Sequence, residues 1–314
     1  MTIGLDGRVA IITGAGNGLG RSHALGLAER GVKLIVNDLG GTLDGGGASA
    51  SAAENVAAEI RSRGGEALAS GANVSRLDEV EAMVGEALST FGRVDILVNN
   101  AGILRDKTFA KMSMEDFRAV VDVHLMGSAN CAKAVWDIMR DQRYGRIVMT
   151  SSSSGIYGNF GQSNYGAAKM GCVGLMNVLH LEGRKYNIRV NTLSPTAATR
   201  MTEGLIPRRV LDLMTVESVT AGMLALVAEE APSRLILCAG AGGYAATRIH
   251  ETEGIYLDPG QQRPEAILSQ LRDIVDPSGQ RILTEAFEQT DKFVAKAAQA
   301  AGIDLEKAEE PEHA

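Results

Sequence analysis

Positive charge, cysteine and long apolar segments are all scarce in this chain of 314 residues. Acidic residues outnumber basic ones, and a formal net charge of −7 argues against the basic surface with which proteins bind nucleic acids. We therefore expect no nucleic-acid partner. Three cysteines (Cys131, Cys172 and Cys238) lie far apart and form no CxxC pair. Free thiols in a reducing compartment are expected, rather than disulfides.

Targeting and membrane-spanning patterns are also missing. The amino-terminal stretch MTIGLDGRVAIIT has no basic region ahead of a long apolar core, and its apolar run has the length of a buried strand. We therefore expect neither a signal peptide nor a membrane span. The carboxyl-terminal PEHA differs from the SKL type of peroxisomal signal, and we expect the protein in the cytoplasm. The histidines lack metal-ligand spacing, so no metal site is expected.

Glycine and apolar residues, in contrast, are plentiful. The chain has 37 glycines and 45% hydrophobic residues, as in folded α/β proteins. Short apolar strands alternate with helical segments, which predicts a doubly wound parallel sheet of the Rossmann type. We predict a single dinucleotide-binding and catalytic domain over 1–240 and a C-terminal extension, 241–314, packed on it, with a frayed end. Long helices are predicted over 114–141 and 162–185.

A glycine-rich turn follows the first predicted strand. Its pattern, TGxxxGxG, places Thr13 and three glycines directly before a helix. Glycines let the backbone approach a pyrophosphate, and the helix N-terminus supplies N–H donors. We interpret the turn as a dinucleotide site; a tight turn that binds nothing is the alternative. The turn residues expected to contact the cofactor are Gly14, Asn17, Gly18, Leu19 and Gly20.

An acidic residue, Asp38, ends the second strand, 18 residues after Gly20. A carboxylate at this point can accept hydrogen bonds from both hydroxyls of an adenosine ribose, and it would repel a 2′-phosphate. No arginine or lysine lies inside the glycine turn or directly after Asp38 to neutralise that phosphate. The sequence therefore predicts NAD, rather than NADP, as the cofactor.

A tyrosine and a lysine stand four residues apart in SNYGAAK, behind a run of serines. On a helix, Tyr165 and Lys169 project from one face. A nearby ammonium group favours the ionised form of a phenol, which makes the phenol a usable general acid or base. Ser152 can hydrogen-bond the same substrate oxygen. The pattern indicates proton transfer at a carbonyl or hydroxyl; a surface tyrosine and lysine on an amphipathic helix is the alternative.

These motifs, with NNAG at 99–102, occur in the order found in the short-chain dehydrogenase/reductase family, which the sequence resembles over residues 8–200. The resemblance implies that Tyr165 is the general acid/base, that Lys169 tunes it, and that Ser152 binds the substrate oxygen. Tyr165 and Lys169 would also contact the cofactor. The residues that would line the cofactor channel are Asn100, Ala101 and Gly102.

His124 departs from the family pattern. In VDVHLMG it stands where the family has a catalytic Asn. A neutral imidazole has one donor and one acceptor nitrogen. We therefore predict that His124 is a catalytic residue in a proton relay behind Lys169, and that it can titrate near about pH 6–7. A histidine merely packed in its helix is the alternative.

Two further positions differ from the family. Asn73-Val74 replaces the Asp-Val of the adenine site, and both residues are expected to bind the cofactor. Pro195-Thr196 replaces a Pro-Gly pair. Contacts to the nicotinamide amide are therefore expected from Pro195 and from residues just after it. Those residues are Ala197 and Thr199.

A closer resemblance covers nearly the whole chain. VNDLGG, NNAGILRDK and EGRKYNIRVNT are similar to the dehydrogenase part of peroxisomal multifunctional enzymes of type 2. That resemblance implies NAD-dependent interconversion of a (3R)-hydroxyacyl-CoA and a 3-ketoacyl-CoA, the acyl group being a steroid side chain or another bulky group. Residues 195–215 are interpreted as a lid, on which Arg208 and Arg209 would bind CoA phosphates. An ordinary surface helix is the alternative.

Other functions remain open at this point. Within the same fold, the alternatives are an NAD-dependent hydroxysteroid dehydrogenase and a 3-oxoacyl reductase. A non-catalytic dinucleotide sensor is the alternative of a different class, although it would have no need of the Ser, Tyr and Lys. By analogy with the family, the long helices over 114–141 and 162–185 would form a homodimer or homotetramer.

Overall fold

The described part of the chain contains one mainly parallel β-sheet with helices on both faces. The structure is a computed structural model that describes residues 3–42, 44–47, 49, 51–198 and 207–305. The strands are β1 (Val9–Thr13), β2 (Lys33–Asn37), β3 (Ala67–Ser70), β4 (Ile96–Asn99), β5 (Gly145–Thr150), β6 (Ile188–Thr196), β7 (Ile236–Gly240) and β8 (Gly243–Thr247). The α-helices are α1 (Gly18–Ala28), α2 (Ser51–Ser62), α3 (Leu77–Phe91), α4 (Met114–Val121), α5 (Gly127–Gln142), α6 (Ser153–Tyr157), α7 (Ser163–Gly183), α8 (Arg208–Leu211), α9 (Val216–Val227), α10 (Pro264–Ser269), α11 (Leu271–Ile274) and α12 (Phe287–Ala301).

The order of the strands indicates where in the sheet a ligand can bind. Neighbouring strands follow the order β3-β2-β1-β4-β5-β6-β7-β8, all parallel except β8, which pairs antiparallel with β7. The order reverses between β1 and β4, which pair directly. Ligands bind outside the carboxyl ends of the strands at such a point. The predicted doubly wound parallel sheet is confirmed, and the glycine turn and NNAG follow its two central strands.

Two apolar cores hold the sheet between its helical layers. Ile12 and Val98 face the core that includes α1, α2 and α9, whereas Ile11 and Leu97 face the core that includes α3, α5 and α7. Successive residues of a strand point to opposite faces, so a strand covered on both sides is apolar throughout. All five residues of β1 are accordingly buried. The strand ends, which carry the site, are therefore fixed by packing on both sides.

The segment predicted to be helical over 114–141 is helical throughout, but it contains a change of helix type that the sequence did not predict. A π-helical turn over Asp122–Met126 separates α4 from α5. At Gly127, the first residue of α5, a Cβ atom would lie 2.7 Å from a methyl carbon of Val74, so glycine allows close approach to the loop after β3. π-Turns occur mostly as single turns inside α-helices, frequently at functional sites. The contacts around this turn come from distant residues, which helical periodicity cannot reveal.

Helix α9 belongs to the core. The segment Arg208–Val227 is long and apolar enough to cross a membrane by length and composition alone, and 44% of its most apolar 18-residue stretch is buried inside the protein. Val219, Met223 and Val227 on α9 are fully buried in the core that includes α1 and the sheet. A core helix satisfies the same length and hydropathy test, so this is weak evidence for a membrane span.

The chain divides into two units after Thr247. The predicted boundary at residue 240 falls between β7 and β8, whose pairing extends the sheet to Thr247. In the second unit, Glu251 pairs with Arg281 through backbone hydrogen bonds, and α12 contributes a buried lysine, Lys292, that forms an ion pair with Glu251. Most of the end predicted to be frayed, 306–314, lies outside the described residues.

Candidate active site

The glycine turn after β1 packs closely against neighbouring backbone atoms. A Cβ atom at Gly14 would lie 2.8 Å from Cα of Ala101, and one at Gly20 would lie 2.1 Å from the carbonyl oxygen of Gly14. Gly14 and Gly18 also have φ values of +64° and +51°, which favour glycine. Asn17 forms the N-cap of α1 without a side-chain cap hydrogen bond. The first N–H groups of α1 are therefore available to an anion such as a pyrophosphate.

Asp38 closes the other side of this turn. Its Oδ2 atom accepts a hydrogen bond from the backbone N–H of Gly16 at 2.8 Å, and its Oδ1 atom accepts one from Gly40 at 2.7 Å. Each carboxylate oxygen retains acceptor capacity for a ribose hydroxyl. Asp38 thus has two roles, since it holds the glycine turn against the end of β2 and presents negative charge to the cleft.

A cleft of about 420 Å³ runs along the carboxyl ends of the central strands. It brings together most of the residues predicted to bind the cofactor or to catalyse the reaction. Its lining includes Gly14, Asn17, Gly18, Leu19, Asp38, Asn73, Val74, Asn100, Ala101, Gly102, His124, Tyr165, Lys169 and Pro195. The backbone approach at the turn and the acceptor at Asp38 fit a dinucleotide in this cleft. Within the described ranges, no cluster of three metal-ligating side chains occurs.

Tyr165 and Lys169 share one face of α7, as the helical spacing predicts. Lys169 is buried, and its Nζ atom donates a hydrogen bond to the carbonyl oxygen of Thr150 at 2.7 Å. The same Nζ atom lies 5.5 Å from the centroid of the Tyr165 ring. The backbone N–H of Tyr165 donates to Oδ1 of the preceding Asn164 at 2.7 Å, which is completely buried. The ammonium group is therefore fixed beside the phenol by the end of β5.

Ser152 follows β5 directly and forms the N-cap of α6. Its hydroxyl oxygen accepts a hydrogen bond from the backbone N–H of Ser154 at 3.2 Å. The hydroxyl proton remains available to a substrate oxygen. Ser152 is not among the described residues that line the dinucleotide cleft, whereas Thr150, two residues earlier on β5, is. The serine thus lies beside the cleft, next to the strand end that also positions Lys169.

His124 projects from the π-helical turn and contacts both the backbone after NNAG and the tyrosine. Its Nε2 atom lies 2.8 Å from the carbonyl oxygen and 3.1 Å from the backbone nitrogen of Ile103. One ring nitrogen cannot donate and accept in the same tautomer, so the two contacts correspond to two tautomers. The ring meets that of Tyr165 edge to face, with centroids 5.1 Å apart.

The surroundings of His124 overturn the prediction that it titrates near neutral pH. Burial, followed by the positive charge of Lys169, holds the pKa of His124 well below its ordinary value of 6.5. The imidazole is therefore neutral at physiological pH. Any proton that it passes must enter at one ring nitrogen and leave at the other, without a stable imidazolium.

Three buried polar atoms around this centre have no hydrogen-bond partner within the described part of the chain. They are Nδ1 of His124, Oδ1 of Asn99 and Oγ1 of Thr150. Buried polar atoms of this kind are typically satisfied by ordered water. The sequence analysis missed Thr150 and named Asn99 only as part of NNAG, although both end a parallel strand, β5 or β4, at the ligand-binding edge.

One wall of the cleft, where the sequence predicts the adenine, is built from the loop after β3. The backbone N–H of Asn73 donates to Oε2 of Glu79 at 2.8 Å, and its side-chain oxygen accepts from Ser75 at 3.0 Å. The carbonyl oxygen of Val74 accepts from Nδ2 of Asn130, on α5, at 2.9 Å. The loop is therefore fixed from both sides, and Asn73 and Val74 line the cleft.

The remaining predicted site residues lie elsewhere. Gly20 is buried within α1, behind the turn. Ala197 is buried just after β6, and Thr199 lies outside the described residues. Arg208 and Arg209 are exposed on α8, where Arg208 forms an ion pair with Asp212 at 3.1 Å. The lid predicted over 195–215 falls partly on residues 199–206, which the structure does not describe.

Comparison with known proteins shows which family and which relatives the sequence is similar to. The family model for short chain dehydrogenases matches residues 8–209. Mouse peroxisomal multifunctional enzyme type 2 is 48% identical over 274 residues, which are 86% of this chain and 37% of the mouse protein. The chain thus spans little more than a third of that relative's length.

Two solved structures are also similar. A short chain dehydrogenase from Mycobacterium avium has a TM-score of 0.75 at 37% identity, with 86% of this chain and 95% of that chain covered. A 7α-hydroxysteroid dehydrogenase complexed with NADH and 7-oxo glycochenodeoxycholic acid has a TM-score of 0.69 at 29% identity, with 77% and 96% covered. The aligned part therefore covers more than three quarters of this chain and nearly all of each of the two solved chains.

Proposed function

The chain belongs to the short-chain dehydrogenase family, and on that premise we propose that it interconverts a 3-hydroxyacyl-CoA and a 3-ketoacyl-CoA with NAD. That it is an oxidoreductase using a nicotinamide dinucleotide follows from the family and from its relatives. The observation that carries the chemistry is the placement of Tyr165 in the cleft, beside a lysine held by the end of β5. A dinucleotide sensor would not require this arrangement.

The residues of the site have separate roles in cofactor binding and in proton transfer. The turn at Gly14–Leu19 would hold the pyrophosphate, Asp38 the adenosine ribose, and Lys169 the second ribose. When bound, the dinucleotide accepts a hydride from the carbinol carbon. Tyr165 takes the proton from the substrate hydroxyl as that carbon is oxidised, and Ser152 donates a hydrogen bond to the same oxygen. In the reverse direction Tyr165 returns the proton.

The preference for NAD is supported by the carboxylate of Asp38. Asp38→Asn keeps the shape of the side chain but removes its charge, so the ratio of kcat/KM for NAD to that for NADP should fall by roughly tenfold or more. The reason is that a unit charge a few ångströms from a phosphate contributes more than about 1.4 kcal/mol. Steady-state kinetics with both cofactors measure this ratio. Equal kcat/KM for NAD and NADP in the unmodified protein would refute the proposal.

The substrate class is supported by the similarity to the multifunctional enzyme. The test is NADH absorbance with a panel of (3R)-hydroxyacyl-CoA esters, hydroxysteroids and simple secondary alcohols. A hydroxysteroid dehydrogenase is the second candidate, because the 7α-hydroxysteroid enzyme shares the fold over nearly its whole length. Turnover of free hydroxysteroids with none of the CoA esters would favour it over the acyl-CoA proposal.

Arg208 and Arg209 are proposed to bind the CoA phosphates. Both are exposed on α8, and a guanidinium matches a phosphate with two parallel hydrogen bonds. Replacing both by Ala should raise KM for the CoA ester about tenfold or more, and should spare a thioester truncated before the nucleotide. If KM changes equally for both thioesters, the arginines act on the conformation of this segment and not on CoA.

A homodimer or homotetramer in the cytoplasm completes the proposal. Val178 and Leu181 on α7 are 52% and 38% exposed, and apolar exposure on a long helix supports an interface. The three free cysteines support a reducing compartment.

A further inference from the structure

The glycine-rich loop after β2 forms part of the wall of the cofactor cleft. Leu39, Gly41, Thr42 and Gly45 line the cleft beside Asp38. The two ends of the loop meet, because the backbone N–H of Ser49 donates to the carbonyl oxygen of Leu39 at 2.8 Å. The base of the loop is therefore closed by a bond between its own residues.

The tip of the loop has its own hydrogen bonds. The backbone nitrogen of Thr42 donates to the carbonyl oxygen of Gly46 at 2.8 Å, and that of Gly45 donates to Thr42 at 3.0 Å. Gly45 has a φ of +88°, and a Cβ atom there would lie 3.2 Å from Cδ1 of Ile103. The tip thus rests directly on the residue that follows NNAG.

Arg105 provides a polar contact between this tip and the rest of the domain. Its Nε atom donates to the carbonyl oxygen of Asp44 at 2.8 Å. Its Nη1 atom pairs with Oδ1 of Asp116 at 3.2 Å, and Asp116 is only 18% exposed. The second oxygen of Asp116 pairs with Lys107 at 3.0 Å. The guanidinium is therefore oriented by a carboxylate on α4 while it bonds to the loop.

The backbone of Arg105 is tied to the catalytic helix. Its carbonyl oxygen accepts a hydrogen bond from Nδ2 of Asn164 at 3.0 Å. Oδ1 of the same Asn164 accepts from the backbone nitrogen of Tyr165 at 2.7 Å. One buried amide thus supports both the arginine that holds the loop and the tyrosine that takes the proton.

We propose that Arg105 is a positioning residue that fastens the loop after β2 over the dinucleotide cleft and so sets the rate at which the dinucleotide leaves. The hydrogen bond from a charged donor to Asp44 resists outward movement of the tip, because a charge-assisted hydrogen bond is stronger than a neutral one. The hydride-transfer geometry at Tyr165 does not depend on this bond. The inference requires a dinucleotide in the cleft and is independent of the acyl-CoA substrate.

The test is the release of NADH from the full chain, followed by stopped-flow fluorescence. Arg105→Ala should raise the dissociation rate constant of NADH roughly tenfold, while the rate of a single hydride-transfer turnover at saturating cofactor stays unchanged. Lys107→Ala is the matched control, because it removes the other partner of Asp116 and leaves the bond to Asp44. Its rate constant should stay within about twofold of the original.

A double-mutant cycle tests whether Arg105 affects NADH release through the loop after β2. Gly45→Ala places a methyl group against Ile103 and should also speed NADH release, and the double variant should release NADH no faster than the faster single variant. Effects that multiply would show that Arg105 acts on the dinucleotide directly and would overturn the proposal. An unchanged rate in Arg105→Ala would overturn it as well. If Arg105→Ala does not fold, Asp116→Asn should give an intermediate rate, and an unchanged rate there counts equally against it.

Discussion

Tyr165→Phe should lower kcat by about two to four orders of magnitude, the usual contribution of a positioned general acid or base. Removing the hydroxyl leaves no group on α7 that can take the substrate proton beside Lys169, whose Nζ atom is held by Thr150. The ring itself remains, and with it the edge-to-face contact with His124. The dissociation constant of NADH and the melting temperature should therefore change little.

Tyr144→Phe is the matched control for this prediction. Tyr144 directly precedes β5, at the end of that strand opposite Thr150, and its buried hydroxyl has no hydrogen-bond partner within the described residues. Its removal should leave kcat and NADH binding unchanged. Steady-state kinetics, NADH titration and thermal melting of the unmodified protein, Tyr165→Phe and Tyr144→Phe test this prediction. A Tyr165→Phe variant that keeps full kcat would show that another group takes the proton.

His124→Leu should lower kcat by roughly one to three orders of magnitude, whereas His124→Asn should retain most of the activity. Asn can donate to the carbonyl oxygen of Ile103 and accept from its backbone nitrogen with separate atoms, which reproduces both contacts of the imidazole. Leu can do neither, and it also lacks the buried Nδ1 atom of the imidazole. We propose that His124 belongs to the proton relay behind Lys169 as a neutral group.

The dependence on pH separates a neutral relay from a titrating one. The pKa of His124 lies well below 6.5 in the folded protein, so this histidine should produce no step in kcat between about pH 6 and 7. The kcat profiles of the unmodified protein and of His124→Asn should therefore have the same shape over this range. The unfolded chain binds this proton more readily. The contribution of His124 to stability is therefore complete above its unfolded pKa and falls as the pH is lowered below it.

Profiles of kcat against pH and melting temperatures at pH 7 and pH 5 test both statements. The Asn variant should lose less stability on acidification than the original protein. His180→Asn is the control for the kcat profiles alone, since His180 is bonded to Ser233 and lies outside the residues that line the cleft. A Leu variant that is stable and fully active would exclude the relay and leave His124 as a packing residue.

Local sequence patterns determined the sheet and the two ends of the cleft. The apolar runs at β1 and β4 reflect strands covered on both faces, and the glycine turn and Asp38 follow β1 and β2 at the edge where parallel strands bind ligands. Tyr165 and Lys169 were placed together by helical periodicity, because one turn of α7 brings them to the same face. Each of these features depends on residues close together in the chain.

Tertiary contacts alone decided the rest of the site. The π-helical turn sets the direction of His124, and its ring finds partners at Ile103, 21 residues away. Likewise, Arg105 reaches Asp44 across 61 residues. Burial then lowers the pKa of His124, which neither its residue type nor its spacing could indicate. These properties arise when neighbouring strand ends bring remote loops together and exclude water, so the desolvation and the pairing of polar atoms exist only in the folded chain.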